Sequence, residues 1–166
     1  MGMTPHEFFE SFVLGNLEDC REAPGSVRRT LNAAISASHL ADHWLAFNER
    51  HNPALFEGLK DVGHLVERLA DSTDGAFRDI RSIANAYKHL YTDSDSTYGA
   101  FATVDSAGAI VSVELPGNTE VVSVAEHHDG PSSRVLFTRR DGTTREFLPV
   151  LEAVVTFWQA TLYSGA

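Results

Sequence analysis

The hydrophobic periodicity of this chain changes twice, and that constrains its fold more than any single motif. Residues 1–91 carry apolar side chains at three- and four-residue intervals, the rhythm of amphipathic helices. From Tyr98 the pattern shortens to an alternation of two, cut at close intervals by turn sequences. After Leu148 the helical rhythm returns. A chain of 166 residues with this pattern is expected to form one domain, 1–166. The expected class is α+β: a helical part over 1–91, an antiparallel β-meander over 98–148 inserted before the last helix, and a C-terminal helix over 149–163.

Boundary residues divide the helical part into four segments. "TPHEFFESF" opens with Thr4 as N-cap, Pro5 in the first turn and Glu7 closing a capping box. "APG" at 23–25 ends that helix, and Ser26 caps a second that runs to about Phe47 before "HNP" at 51–53. A third segment covers roughly 53–71, in two pieces around Gly58. "DSTDG" separates it from a fourth over 75–91. The polar linker "TDSDST" follows at 92–97. Strands are expected near 99–104, 109–115, 119–127, 133–139 and 143–147, with Asp141-Gly142 the clearest hairpin turn. The last helix starts at Pro149 and carries Val150, Val154, Phe157, Trp158 and Leu162, an apolar set that suits packing back onto the helical half.

Composition excludes several function classes. The apolar runs fall far short of the ~20 residues of a membrane span. No basic region followed by an apolar stretch opens the chain, so a cytoplasmic protein without a signal peptide is expected. The single cysteine, Cys20, leaves no internal disulfide and no cysteine-based zinc site. A net charge of −10 argues against an extended nucleic-acid surface, which needs cations to displace counterions. The charge is unevenly spread: residues 1–91 hold 9 Lys/Arg against 13 Asp/Glu, and residues 92–166 hold 4 against 10. A local anion site therefore belongs to the first half.

Two polar stripes within that half are the candidate site. On a helical wheel of ~100° per residue, Phe77, Ile80, Ile83, Ala84, Tyr87, Leu90 and Tyr91 form the core face of the fourth segment. Arg78, Arg81, Ser82, Asn85, Lys88 and His89 cluster opposite, with Asp79 at the boundary. On the second segment Arg28, Arg29, Asn32, Ser36, His39 and His43 form a matching stripe. Wet helix faces are usually rich in Glu and Lys; neither stripe includes an acid. Short hydrogen-bonding side chains with Arg and His suit a polar, weakly basic groove between the two helices. If helices alternate in direction, the two run parallel, with their Arg ends together and their His ends together. The plainer reading is two solvated faces.

Three chemistries fit these residues. In the first, His89 moves a proton, Arg81 and Lys88 hold phosphate, and Asn85 orients His89 or the substrate; Arg78, Asn32 and Ser36 extend the ligand-binding face. The stretch "RSIANAYKH" resembles the HEPN group of helical bundles, many of them RNases, in which an Arg with a polar neighbour precedes a His on one helix by four to six residues. Here seven residues separate Arg81 from His89, and an inserted β-meander is not a general HEPN feature. The resemblance covers the second to fourth segments and implies RNA cleavage or nucleotide binding. In the second chemistry, "HLADH" places His39 and His43 at i, i+4, a spacing that can put two imidazoles on one divalent metal, with His89 as third ligand. "SHLADHWLAF" resembles the DinB-like metal bundles, although the fourth segment has one His and not a spaced pair. The third is a binding module: edge strands, or Trp44 and Phe47 beside His43, would form a partner surface, and a homodimer is the expected assembly.

Overall fold

The computed structural model describes residues 2–56, 59, 61–89, 102–114 and 133–163, with the side chains of Phe56 and His89 excepted. Among these residues helices dominate, and three strands form an antiparallel sheet, an α+β fold. The N-terminal helix is built from α1 (Pro5–Phe8), a π-helical stretch (Phe9–Leu14) and α2 (Gly15–Glu22). It begins as its sequence dictates. The Thr4 hydroxyl accepts from the Glu7 N–H at 3.2 Å, and the Glu7 carboxylate accepts from the Thr4 N–H at 2.7 Å. Donation from the Thr4 N–H, and from the Thr4 hydroxyl at 2.9 Å, holds the Glu7 carboxyl below the usual carboxylate range.

The long helix α3 (Val27–His51) is the axis of the molecule. Its 25 residues span about 37 Å at ~1.5 Å per residue. Ser26 caps its start and Asn52-Pro53 ends it, since proline cannot continue the hydrogen-bond ladder. A 3-10 turn (Pro53–Phe56) and α4 (Val62–Ser72), capped by Asp61, occupy the third expected segment. The helix α5 (Ala76–His89) follows a turn in which Gly75 takes φ +78 and the Thr73 hydroxyl accepts from the Phe77 N–H at 3.0 Å.

The sheet has the order β1-β2-β3, with β1 Ile110–Glu114, β2 Ser133–Thr138 and β3 Thr144–Glu146. Ile110 lies opposite Phe137, Ser112 opposite Val135, and Phe137 opposite Arg145. The Asp141-Gly142 turn forms as read: Gly142 takes φ +84, and the Asp141 carboxylate accepts from the Thr143 N–H at 2.8 Å. The expected strand at 119–127 lies outside the described residues, as do the linker 92–97 and residues 99–101. Residues 102–104 form no strand. The last helix, α6 (Phe147–Tyr163), starts two residues before Pro149, which still falls in the first turn where its missing N–H goes unneeded. It packs on α3, α5 and the N-terminal helix, with the Trp158 ring 6.2 Å from that of Trp44.

One helix departs from the expected split between an apolar and a polar face. In α5, Phe77, Ile80, Ile83 and Ala84 are buried as read, whereas Tyr87 is 45% exposed. Leu90 and Tyr91 lie outside the described residues. Asp79, expected at the boundary, is 0% exposed, and Ser82 is 3% exposed. Both face a second layer that the wheel could not show. Arg139 grips Asp79 through two bonds, Nε to Oδ1 at 2.9 Å and a terminal nitrogen to Oδ2 at 2.5 Å. Arg145 adds a third at 3.0 Å, and the Thr103 hydroxyl a fourth at 2.8 Å. Ser82 accepts from the Thr103 N–H at 2.9 Å and donates to the Arg78 carbonyl. The β2–β3 hairpin is thus bolted to α5 through one buried carboxylate. Asp79 in turn stabilises the charged form of Arg139 and raises its pKa.

This bolt can be tested. Replacing Arg139 and Arg145 together by Ala leaves the Asp79 carboxylate buried with the Thr103 hydroxyl alone. Loss of such a partner costs about 3–5 kcal/mol, so equilibrium urea unfolding of the double variant should show a drop of that order. A change below about 1 kcal/mol would show that the carboxylate is not held as described.

Candidate functional site

The residues singled out from the two stripes are partly brought together and partly dispersed. Helices α3 and α5 pack directly on each other. Their seam is crossed by a chain of four polar side chains. The Lys88 ammonium donates to His39 Nε2 at 2.7 Å. His39 Nδ1 lies 3.9 Å from the Asp42 carboxylate. Asp42 accepts from Arg81 at 3.2 and 3.4 Å, and Arg81 also reaches the Ser38 hydroxyl at 3.5 Å. The stripes therefore do meet an acid. Asp42 is three residues after His39, on the adjacent helical row, and turns toward α5.

These contacts fix the chemistry of His39. A lysine ammonium has donors and no acceptor, so Nε2 must offer its lone pair. The proton of the neutral ring then sits on Nδ1, on the side of Asp42. Burial lowers the pKa of His39, the Lys88 charge lowers it further, and Asp42 opposes both. Two cations, Arg81 and Lys88, against the one carboxylate of Asp42 leave one net positive charge on the seam. That is a small basic spot on a chain of net charge −10.

The expected grouping of the Arg ends does not occur. Arg29 pairs with Glu22 at 3.2 Å and with the Asp19 carbonyl at 2.8 Å. Arg81 instead meets Asp42, thirteen residues further along α3, which is about 20 Å of helix. Arg28 is exposed. Arg78 and Asn85 are half-buried on α5, and neither side chain has a hydrogen bond among the described residues. Of the expected group of His39, His43, Lys88 and His89, Lys88 and His39 meet, whereas His43 turns to the Met3 carbonyl. The side chain of His89 lies outside the described residues.

A concavity adjoins this seam along α3, with His39 and Asp42 common to both. An open groove of about 650 Å³ runs between the N-terminal helix and α3. Asn32, Ser36, His39, Asp42 and His43 supply its polar wall, and Phe8, Phe12 and Asn16 face them across it. Among the described side chains, none of α5 lines it. Ser36 is buried and satisfied, accepting from the Asn16 amide at 3.0 Å and donating to the Ala33 carbonyl at 3.1 Å. Asn32 is exposed, with no side-chain hydrogen bond among the described residues. His43 Nε2 lies 2.7 Å from the Met3 carbonyl, so that nitrogen carries the proton. Its ring stacks 5.2 Å from Phe8, which lies 5.1 Å from Phe12.

For the metal reading, the two Nε2 atoms are thus engaged, His39 by Lys88 and His43 by a backbone carbonyl. No group of three or more His, Cys, Asp or Glu residues that could hold a metal occurs among the described residues. For the partner-surface reading, Trp44 packs on Trp158 and Phe47 stacks on His51 at 4.4 Å. No described helix is long and apolar enough to cross a membrane.

Sequence reasoning missed Asp42 and the wall from the N-terminal helix. The first had a readable signal, its i+3 spacing from His39. The second had none, because only packing brings Phe12 and Asn16 opposite Asn32 and Ser36. Comparison with protein-family models, with curated proteins and with solved structures finds no match to this chain.

Two measurements check this geometry. His39 should titrate below the ordinary imidazole range by NMR, and Lys88→Met should move it upward by removing the adjacent charge. The sign follows from linkage: a folded-state pKa below the unfolded one means that protonation opposes folding, so stability falls as the pH drops through the imidazole range. An unchanged titration in Lys88→Met would break the contact. Separately, burial pushes the Cys20 thiol up to about 12. It should resist thiol reagents at pH 8 in the native protein and react fully in denaturant.

Proposed function

We propose that this protein binds a phosphate-bearing ligand, a nucleotide or single-stranded RNA, where the Lys88–His39 pair meets the mouth of the groove. The observation that carries the reading is the donation from Lys88 to a neutral, half-exposed His39 beside Asp42 and Arg81. A lysine placed on a neutral acceptor keeps its full charge for an incoming anion. A carboxylate partner would cancel it. Arg81 is held by Asp42 and positions His39 through that carboxylate. The resemblance of "RSIANAYKH" to HEPN bundles points to the same ligand class.

The chemistry available to such a site is transesterification of RNA. A neutral imidazole accepts the proton of a ribose 2′-hydroxyl as its oxygen bonds to phosphorus. The bond from phosphorus to the 5′-oxygen breaks, and a protonated imidazole returns a proton to that oxygen. Products are a 2′,3′-cyclic phosphate and a 5′-hydroxyl. His39 and His89 are the two imidazoles we assign to these roles; Lys88 moves from His39 Nε2 to the phosphoryl oxygens, which frees the lone pair that takes the proton.

Binding of a labelled single-stranded RNA, followed by fluorescence anisotropy at low salt, should weaken about tenfold or more in Lys88→Ala, in line with loss of a charge-assisted phosphate contact. Cleavage of the same RNA should fall in His39→Ala and His89→Ala. Equal affinity of wild type and Lys88→Ala would remove the seam from RNA binding, and cleavage unchanged in both His variants would remove these imidazoles from the chemistry.

A further inference from the structure

The groove beside the seam has the composition of a base-binding slot. Its volume of about 650 Å³ falls within the ~300–1,000 Å³ of ordinary ligand sites. One wall offers two rings, Phe8 and Phe12, with Phe12 45% exposed. The opposite wall offers Asn32, whose amide is exposed and has no hydrogen bond among the described residues. Aromatic faces stack on unpaired bases without regard to sequence, and a side-chain amide can pair in two-pronged fashion with a base edge.

The backbone of this wall is itself unusual. Phe12 lies in the π-helical stretch Phe9–Leu14. Such stretches are rare and local, and they change the angle at which later side chains leave the helix. Here the buried face is kept by Phe9 and Val13, while Phe12 turns out to the groove. The groove also joins the seam, because His39 and Asp42 line both. A phosphate on Lys88 and a base among Phe8, Phe12 and Asn32 would therefore sit on adjoining surfaces.

We infer that the groove between the N-terminal helix and α3 is a nucleobase subsite that stacks an unpaired base on Phe12 and reads its edge with Asn32. It rests on the phosphate-binding reading above and adds to it a contact with the base of the single strand or free nucleotide. Duplex is disfavoured because its bases are already stacked.

Four probes test this against wild type, Phe12→Ala and Phe12→Trp: a labelled single-stranded RNA 12-mer, the same sequence as a duplex, the same backbone with abasic positions, and AMP. Phe12 is exposed enough for both variants to fold, which circular dichroism checks. The single strand should bind better than duplex or abasic strand. Phe12→Ala should weaken single-strand binding about tenfold and leave the abasic probe unchanged, and Phe12→Trp should restore binding. Binding of AMP with the same Phe12 dependence would make the free nucleotide the ligand; binding of the 12-mer alone would make it RNA. Equal affinity for single-stranded and abasic probes, or no effect of Phe12→Ala, would overturn the subsite. If Lys88→Ala still weakens every probe in that case, the phosphate reading stands alone. Absence of binding to all four probes overturns both.

Discussion

A carboxylate removed from water must be matched, and Asp79 sets the arrangement of half this molecule by that requirement. Three nitrogens from Arg139 and Arg145 and one hydroxyl from Thr103 converge on its two oxygens. Nonpolar packing could hold the hairpin against the helices in several registers. A bidentate guanidinium contact allows few, because the fork must meet both oxygens in one plane. Buried ion pairs add little net stability, but they penalise alternatives heavily. The hairpin contributes to the site indirectly: it covers one side of α5 and leaves the side that carries Arg81 and Lys88 to meet α3.

The helix α5 is thus a three-sided element. One side is apolar core, one is a polar joint to the sheet, and one is the seam with α3. A helical wheel divides residues into an apolar and a polar half. It therefore read Ser82 as outward and Asp79 as marginal, since nothing in the local pattern says that a polar side chain will find a buried partner more than twenty positions away. Tyr87 fails for the complementary reason. It sits on the apolar half by spacing, yet the described elements packed on α5 leave it 45% exposed.

What could be read locally was read well. The capping box at Thr4, the cap at Ser26, the break at Asn52-Pro53 and the turn at Asp141-Gly142 depend on a few adjacent residues, and each appears where those residues stand. The juxtaposition of Lys88 with His39 and the grouping of the Arg ends were both expected from one assumed direction of the two helices; the first contact forms and the second does not, because each depends on how far the helices cross and not on either stripe alone. The groove was invisible for a different reason. Concavity is a property of two surfaces, and the stripe on α3 gives no sign of which neighbour stands across from it.

The contact between Lys88 and His39 has one further consequence. The ammonium that rests on the imidazole and, after burial, lowers its pKa is the same group an anion would recruit. If an anion draws Lys88 away, the lone pair on Nε2 is freed and the positive field beside the ring is cancelled. Both changes make the imidazole a better base. Occupancy of the site and proton uptake would then be one coupled event: an anion would bind more tightly in mildly acidic solution, and the heat of binding would depend on the buffer that supplies the proton. The empty site and the filled site would differ by a proton as well as by a ligand.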